Sequence, residues 1–291
     1  MTFQKGPYHA TAGDFSSAGN VGITVKDSLE TGFAEIQTGS DGWRRMLAAD
    51  SHSTSNGDFL YAIEANTFRG PWDVDEDLER YNLHLRYTQG EENYGSRISF
   101  SSYKADWTST DQIPQRAVNQ GIISRLGSLD PTTGGESSRT SLNYQWWKEA
   151  ESGSRLEASV YALKSDLDLY SNFTYFLDQP ALGDQFNQVD DRHTFGGQLE
   201  LKVPSKIAGA EAETKYGLRL RHDKIDEVGL FKTQSRRRIG TVRQDQVDQT
   251  SLGLYSETEV LWSDKLRSTL GLRVHRYSFD VDALTLSLIH I

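Results

Sequence analysis

Leu78-Glu79-Arg80-Tyr81-Asn82-Leu83-His84-Leu85-Arg86-Tyr87 is the stretch whose reading decides the fold. From Arg80 onward, Tyr81, Leu83, Leu85 and Tyr87 alternate with Arg80, Asn82, His84 and Arg86. A strand sends successive side chains to opposite faces, so this ribbon has one apolar and one charged face. Its apolar side begins and ends with tyrosine. A membrane barrel strand needs that arrangement, with hydrocarbon outside, an aqueous or protein-filled lumen inside and amphipathic rings at both interfaces. A soluble sandwich strand with its charged face in water would alternate in the same way.

Composition narrows the choice. The 291 residues are 36% hydrophobic and 25% charged, with mean hydropathy -0.60. No run approaches the roughly 18 apolar residues of a membrane helix, which excludes a helical membrane protein. A barrel escapes that test because alternation hides its apolar face from a window average. Twenty-five Gly, 13 Tyr and 6 Trp fit strands joined by many turns. There are no cysteines, so disulfides and thiolate metal sites are ruled out. A formal charge of -10 argues against nucleic acid as a partner. Lys5-Gly6-Pro7 near Met1 leaves no room for the apolar core of a signal peptide. For an exported protein, that suggests a chain missing its beginning.

Strand candidates recur along the chain. They run over 30–39, 44–50, 59–68, 78–87, 94–104, 140–148, 155–164, 194–203, 213–222, 252–262 and 266–274, about eleven in all. Ser55-Asn56-Gly57-Asp58 signals a hairpin, because Asn-Gly accepts the positive φ of a type I′ turn. The connections then alternate in length: 89–93 short, 106–137 long, 149–154 short, 165–190 long, 204–210 short, 223–249 long, 263–265 short. Compact soluble domains rarely hold several structureless loops longer than about 15 residues. Outer-membrane barrels pair long outside loops with tight periplasmic turns. All six prolines are expected in connections, because proline breaks a strand ladder.

The run Gly6-Pro7-Tyr8-His9-Ala10-Thr11-Ala12-Gly13-Asp14-Phe15-Ser16-Ser17-Ala18-Gly19-Asn20-Val21 closely resembles the end of the plug domain in TonB-dependent outer-membrane receptors. The Ser40-Asp41-Gly42-Trp43 turn after the first strand resembles the same family. The resemblance implies an all-β fold, an antiparallel up-and-down transmembrane β-barrel. It would be partial, about half of a barrel of about 22 strands. Residues 1–26 would end the plug and 27–285 would form the first half of the barrel. Leu286-Ser287-Leu288-Ile289-His290-Ile291 breaks the alternation and reads as a foreign or truncated tail. The implied function is TonB-energised import of a scarce nutrient (siderophore, cobalamin or oligosaccharide) across the bacterial outer membrane. Its partners would be outer-membrane lipid, the inner-membrane TonB complex and a small nutrient ligand. The alternatives are a soluble β-sandwich that binds glycans and a barrel that does not transport.

No catalytic constellation emerges. The seven histidines are scattered, no nucleophile elbow is present, and neither a metal nor a cofactor site is expected. The apolar side chains Tyr81, Leu83, Leu85, Tyr87, Leu199, Leu201, Leu218 and Leu220 are expected on the outside. Arg80, Arg86, Glu157, Glu200, Arg219, Arg221, Glu257 and Arg273 are expected to line the lumen and to be largely exposed. Trp72, Trp107, Phe173, Tyr175 and Phe176 lie in or beside long connections, where aromatic faces can stack on a ligand, so they are the candidate substrate-binding residues. Arg236-Arg237-Arg238 is a weaker candidate for an anionic ligand. The acidic run Asp73, Asp75, Glu76, Asp77, Glu79 lacks the spacing of a calcium loop.

Overall fold

The computed structural model describes residues 1–13 and 16–285. The suspected tail at 286–291 and part of the Gly-Asp-Phe step lie outside these described residues. A small hairpin comes first, β1 (Thr2–Lys5) with β2 (Gly19–Gly22). Next comes one antiparallel sheet of 11 strands in strict sequence order. Its members are β3 (Phe33–Thr38), β4 (Arg44–Thr54), β5 (Gly57–Phe68), β6 (Leu78–Gly90), β7 (Tyr94–Thr108), β8 (Gly134–Glu149), β9 (Arg155–Ser171), β10 (Phe186–Ile207), β11 (Ala210–Gln234), β12 (Arg237–Ser263) and β13 (Leu266–Ala283). A single helical turn, α1 (Gln115–Asn119), sits between β7 and β8. The sheet is open, with β3 and β13 at its edges.

Register assigns the faces. Directly opposed residues share a face, so Arg80, Asn82, His84 and Arg86 of β6 stand beside Asn66, Glu64, Ala62 and Leu60 of β5. Tyr81, Leu83, Leu85 and Tyr87 stand beside Ala65, Ile63, Tyr61 and Phe59. The N-terminal segment identifies the inner face. Arg273 Nη1 donates to Ala10 O at 2.9 Å and Arg219 Nη1 to Ala12 O at 3.3 Å, while His9 Nδ1 lies 3.5 Å from Glu257 Oε1. On the outer face Tyr81, Leu199, Leu201, Leu218 and Leu220 are exposed, and among the described residues no second sheet packs on them. A sandwich would bury that face, so the structure is an unclosed barrel wall.

The inner face is polar and tightly built. The Tyr255 ring lies across Gly217, where an added Cβ would come within 1.9 Å of it. The Tyr255 hydroxyl donates to Glu200, and the guanidiniums of Arg219 and Arg273 stand 5.5 and 5.1 Å from its ring centroid. Charge-assisted bonds of this kind hold a polar interior together without an apolar core. They also change one expectation: of the eight residues expected to be largely exposed on this face only Arg221 is, while Arg80, Arg86, Glu157, Arg219 and Arg273 are half-buried and Glu200 and Glu257 are buried. Tyr255 and Lys202 cover the first, while His9 and Thr11 cover the second.

Three local readings need correction. The stretch 223–249 is no loop; β11 and β12 run on as a paired ribbon to Gln234↔Arg237, where Ser235 (φ 48) and Arg236 (φ 64) make the turn. Its sequence has no sustained apolar face and reads as a loop, yet the paired strands bury Asp223, Ile225, Phe231, Thr233 and Asp245. Pro204 lies inside β10, opposite Glu213. Pairing with β9 stops at Lys202↔Arg155, so the missing N–H faces an edge with no partner strand and costs no ladder bond. At 54–57 the turn residues are Ser55 and Asn56, and only Gly57 has positive φ (155). That hairpin is not type I′. Glycine is needed at 57 because a Cβ would stand 2.2 Å from Thr88 O.

Candidate functional site

An up-and-down sheet sends alternate connections to opposite ends. The turns at 55–56, 91–93, 150–154, 208–209 and 264–265 gather at one end, and the connections 39–43, 69–77, 109–133 and 172–185 and the 235–236 turn gather at the other. The loop end is stitched by backbone bonds. Arg69 N and Gly70 N donate to Asp41 O at 3.2 and 3.1 Å, Asp73 N donates to Leu126 O at 3.1 Å, and Thr108 N donates to Glu76 O at 2.7 Å.

Its centre is a buried polar hub. Asp130 Oδ2 accepts from Asn172 Nδ2 and Gln185 Nε2, both at 2.8 Å. Gln185 Oε1 accepts from Thr233 Oγ1 at 3.0 Å and from the Arg236 amide at 2.8 Å. One carboxylate and one amide thus pin three connections together. Burial raises the Asp130 pKa, but the bonds from Asn172, Thr132 and Gln185 outweigh it and hold the carboxyl below its ordinary value. Nearby, burial raises the Asp111 pKa despite a 2.6 Å bond from the Asn172 amide.

The candidate aromatic residues separate into different roles. Phe173 and Phe176 are each 56% exposed, and Phe173 rests edge-on against Phe186 at 5.3 Å. Leu177 and Leu182 beside them are exposed too, as are Ile122 and Leu126 on the preceding connection. Trp72 is exposed on 69–77. Tyr175, by contrast, is only 6% exposed. Its hydroxyl donates to Gln112 O at 2.9 Å, its amide donates to Asn172 Oδ1 at 2.9 Å, and its φ is 60. It is the anchor that lets its neighbours stand outward, and it offers no open ring face. Trp107 belongs to β7, opposite Gly135, and is half-buried.

The arginine run is largely committed to structure. Arg236 Nε donates to Thr132 O at 2.8 Å and its guanidinium stacks on Tyr170. Arg238 pairs with Glu227 at 3.4 Å and lies 3.8 Å over Phe231. Neither is a loose cation awaiting an anion. Asp191, His193 and Asp226 bring ligand atoms within 4.8 Å of one another, but Lys224 Nζ stands 3.1 Å from Asp226 and Lys164 Nζ 3.9 Å from Asp191. Protein cations already balance those carboxylates. The sequence did not show the Asp130–Gln185 hub, because Asp, Asn, Gln and Thr in loops carry no spacing that distinguishes a hub from ordinary turns.

No family model matches the chain, and no curated protein resembles it closely enough to report. Solved structures do. The ferric-catecholate import receptor Fiu of E. coli K12 superposes with TM-score 0.74 at 10% identity, over 96% of this chain and 49% of that one. The FpvAI receptor, solved in complex with pyocin S2, gives 0.76 at 13% identity, over 97% and 40%. The ferric citrate transporter FecA gives 0.69 at 12% identity, over 87% and 38%. The fold is that of a TonB-dependent receptor barrel. The chain spans half or less of each receptor chain, and at these identities the likeness speaks for the fold alone. The siderophore receptor PiuA of Acinetobacter baumannii also matches, with TM-score 0.62.

Proposed function

We propose that the intact protein is a bacterial outer-membrane receptor importing a scarce nutrient, energised by the inner-membrane TonB complex. The observation that carries this reading is the N-terminal segment held against the inner face by Arg86, Arg97, Arg219, Arg273 and Glu257. A plain pore has no reason to fill its lumen with its own chain, whereas a gated importer needs a plug that charged bonds hold and can release. The outer aliphatic face would meet lipid, and the exposed rim of Trp72, Phe173 and Phe176 would meet ligand, with Tyr175 as its anchor and half-buried Trp107 at its base. The first ligands to try are iron(III) complexes of siderophores, since Fiu, FecA and PiuA carry such names; cobalamin and oligosaccharides follow.

The test is nutrient uptake by cells bearing the complete receptor, with and without a functional TonB complex. Accumulation that requires both the receptor and the energising complex is the expected result. Uptake indifferent to loss of TonB would overturn the reading in favour of a passive barrel. No binding or uptake of any nutrient would leave a structural barrel.

A further inference from the structure

One spacing repeats on the inner face. Gly95-Ser96-Arg97 on β7, Gly217-Leu218-Arg219 on β11 and Gly271-Leu272-Arg273 on β13 each set glycine and arginine two apart, hence on one face of the strand. Each arginine reaches the N-terminal segment: Arg97 pairs with Asp27, Arg219 bonds Ala12 O and Arg273 bonds Ala10 O. At Gly271 the segment itself takes the space, since an added Cβ would stand 2.7 Å from Ala10 Cβ. At the other two glycines a ring takes it.

Trp147 lies directly opposite Gly95, and Tyr255 directly opposite Gly217. A Cβ at Gly95 would strike Trp147 Cζ2, and one at Gly217 would strike the Tyr255 ring. Glycine therefore lets each ring lie down against the wall with a face toward the lumen. The arginine two residues on covers that face: the Arg97 guanidinium carbon is 5.4 Å from the Trp147 centroid, and that of Arg219 is 5.5 Å from the Tyr255 centroid. A glutamine completes each site. Arg97 Nη1 donates to Gln145 Oε1 at 3.1 Å, and Arg219 Nε donates to Gln198 Oε1 at 2.9 Å. Both sites lie on interior strand pairs of the sheet, β7 with β8 and β11 with β12. The segment is shaped to match, because a Cβ at its own Gly13 would meet Arg219 Nη1 and Arg273 Nη2, each at 3.1 Å.

We propose that Gly95 with Trp147 and Gly217 with Tyr255 are positioning pairs: each layers ring on glycine and guanidinium on ring, and so sets the height at which Arg97 and Arg219 grip the N-terminal segment. This rests on the uptake reading, which makes that segment part of a plug to be held and released. An arginine alone in a wet lumen samples many rotamers, whereas a ring beneath it and a glutamine beside it fix its planar fork before the segment arrives. The two grips are separate. Trp147 serves the Asp27 end through Arg97, and Tyr255 serves the Ala12 end through Arg219.

The experiment uses the complete receptor in detergent, in a cysteine-free background, with one nitroxide label attached through Tyr8→Cys or Lys26→Cys, both exposed positions of the segment. Trp147→Leu should raise the ratio of mobile to immobile label at position 26 about threefold to tenfold and leave position 8 unchanged. Tyr255→Leu should do the opposite, and Gly217→Ala, which displaces the ring without removing it, should loosen position 8 likewise. Trp147→Phe and Tyr255→Phe keep a ring and should hold both labels as in the parent, with heat-modifiable gel mobility unchanged in every variant. Trp147→Leu combined with Arg97→Gln should leave position 26 no more mobile than Arg97→Gln alone, because the ring acts through that arginine. Unmoved labels, phenylalanine variants as loose as the leucine ones, or effects of Trp147→Leu and Arg97→Gln that simply add would overturn the positioning pairs. TonB-dependent uptake with unmoved labels would sink the pairs and leave the uptake reading standing. Labels that respond as expected in a receptor that imports nothing would do the reverse.

Discussion

Asp27 and Arg97 form an ion pair on the inner face although 70 positions separate them in the chain. Arg86 joins them, donating to Val25 O at 2.6 Å and approaching Asp27 Oδ1 at 3.4 Å, while Thr88 Oγ1 donates to the same oxygen at 3.0 Å. Two guanidiniums from adjacent strands thus converge on one carboxylate where the N-terminal segment gives way to the sheet. Farther up that segment the contacts of His9 and Thr11 with Glu257 are longer, both 3.5 Å.

Replacing Asp27 by alanine therefore leaves two facing cations without their shared counter-ion. With Asp27 about one-third exposed, the expected cost is roughly 1 to 2 kcal/mol. Limited proteolysis of the whole receptor should then cut sooner between residues 13 and 32. The exchange Asp27→Arg with Arg97→Asp should recover part of the protection. Unchanged cleavage in D27A would show that the segment is held elsewhere.

Tyr175 predicts a pH effect at the loop end. Burial, with the charges of Asp111 and Asp130 adding to it, pushes its hydroxyl up to about 12. The folded loop keeps a proton that an unfolded tyrosine releases near pH 10. The associated stability is whole below pH 10 and is lost as pH rises toward about 12. Protection of the 172–185 amides, taken relative to their intrinsic base-catalysed exchange rates, should fall across that window and stay constant between pH 7 and 9. In Tyr175→Phe the alkaline step should vanish, at a cost of about 1 kcal/mol for the bond to Gln112 O.

Much of the sheet was legible because alternation is local. Arg80 to Tyr87 named its own faces, and the register of β5, β6 and β7 respects them. The upper parts of β11 and β12 were not legible. Asp223 to Gln249 scatters its apolar residues among polar ones without sustained alternation, so hydropathy does not show the ribbon, and the burial of Ile225, Phe231 and Thr233 depends on partners distant in the chain. At the rim, sequence could mark aromatic residues but not their direction. Phe173 and Tyr175 lie two positions apart; one is exposed and the other buried, because the positive φ at Tyr175 turns it into the Asp111–Asp130–Asn172 cluster.

That division predicts unequal substitutions. Phe173→Ala with Phe176→Ala should lower ligand affinity about thirtyfold, at about 1 kcal/mol for each lost stacking contact, while loop protection in hydrogen exchange stays normal. Tyr175→Ala should loosen 172–185 itself. Equal loop disorder in both variants would remove the distinction between contact and anchor.

The outer face gives a folding prediction. Leu218→Arg places a charge among the exposed aliphatic side chains of β10 to β12 and should cost about 2 to 4 kcal/mol near the bilayer midplane. Arg219→Leu, one residue away, should disturb the N-terminal segment and leave insertion intact. Refolding into lipid vesicles, followed by heat-modifiable gel mobility, measures both. Equal insertion defects would mean that the two residues do not face different media.

The most direct test of the barrel wall is spin-label accessibility along β11 in the complete receptor reconstituted in a bilayer, scanned through 215–221. Labels at Tyr216, Leu218 and Leu220 should relax with oxygen dissolved in lipid, and labels at Lys215, Arg219 and Arg221 with a water-soluble nickel chelate, giving two period-two profiles out of phase. Nickel reaching all six positions alike would contradict a membrane-spanning wall with a polar lumen.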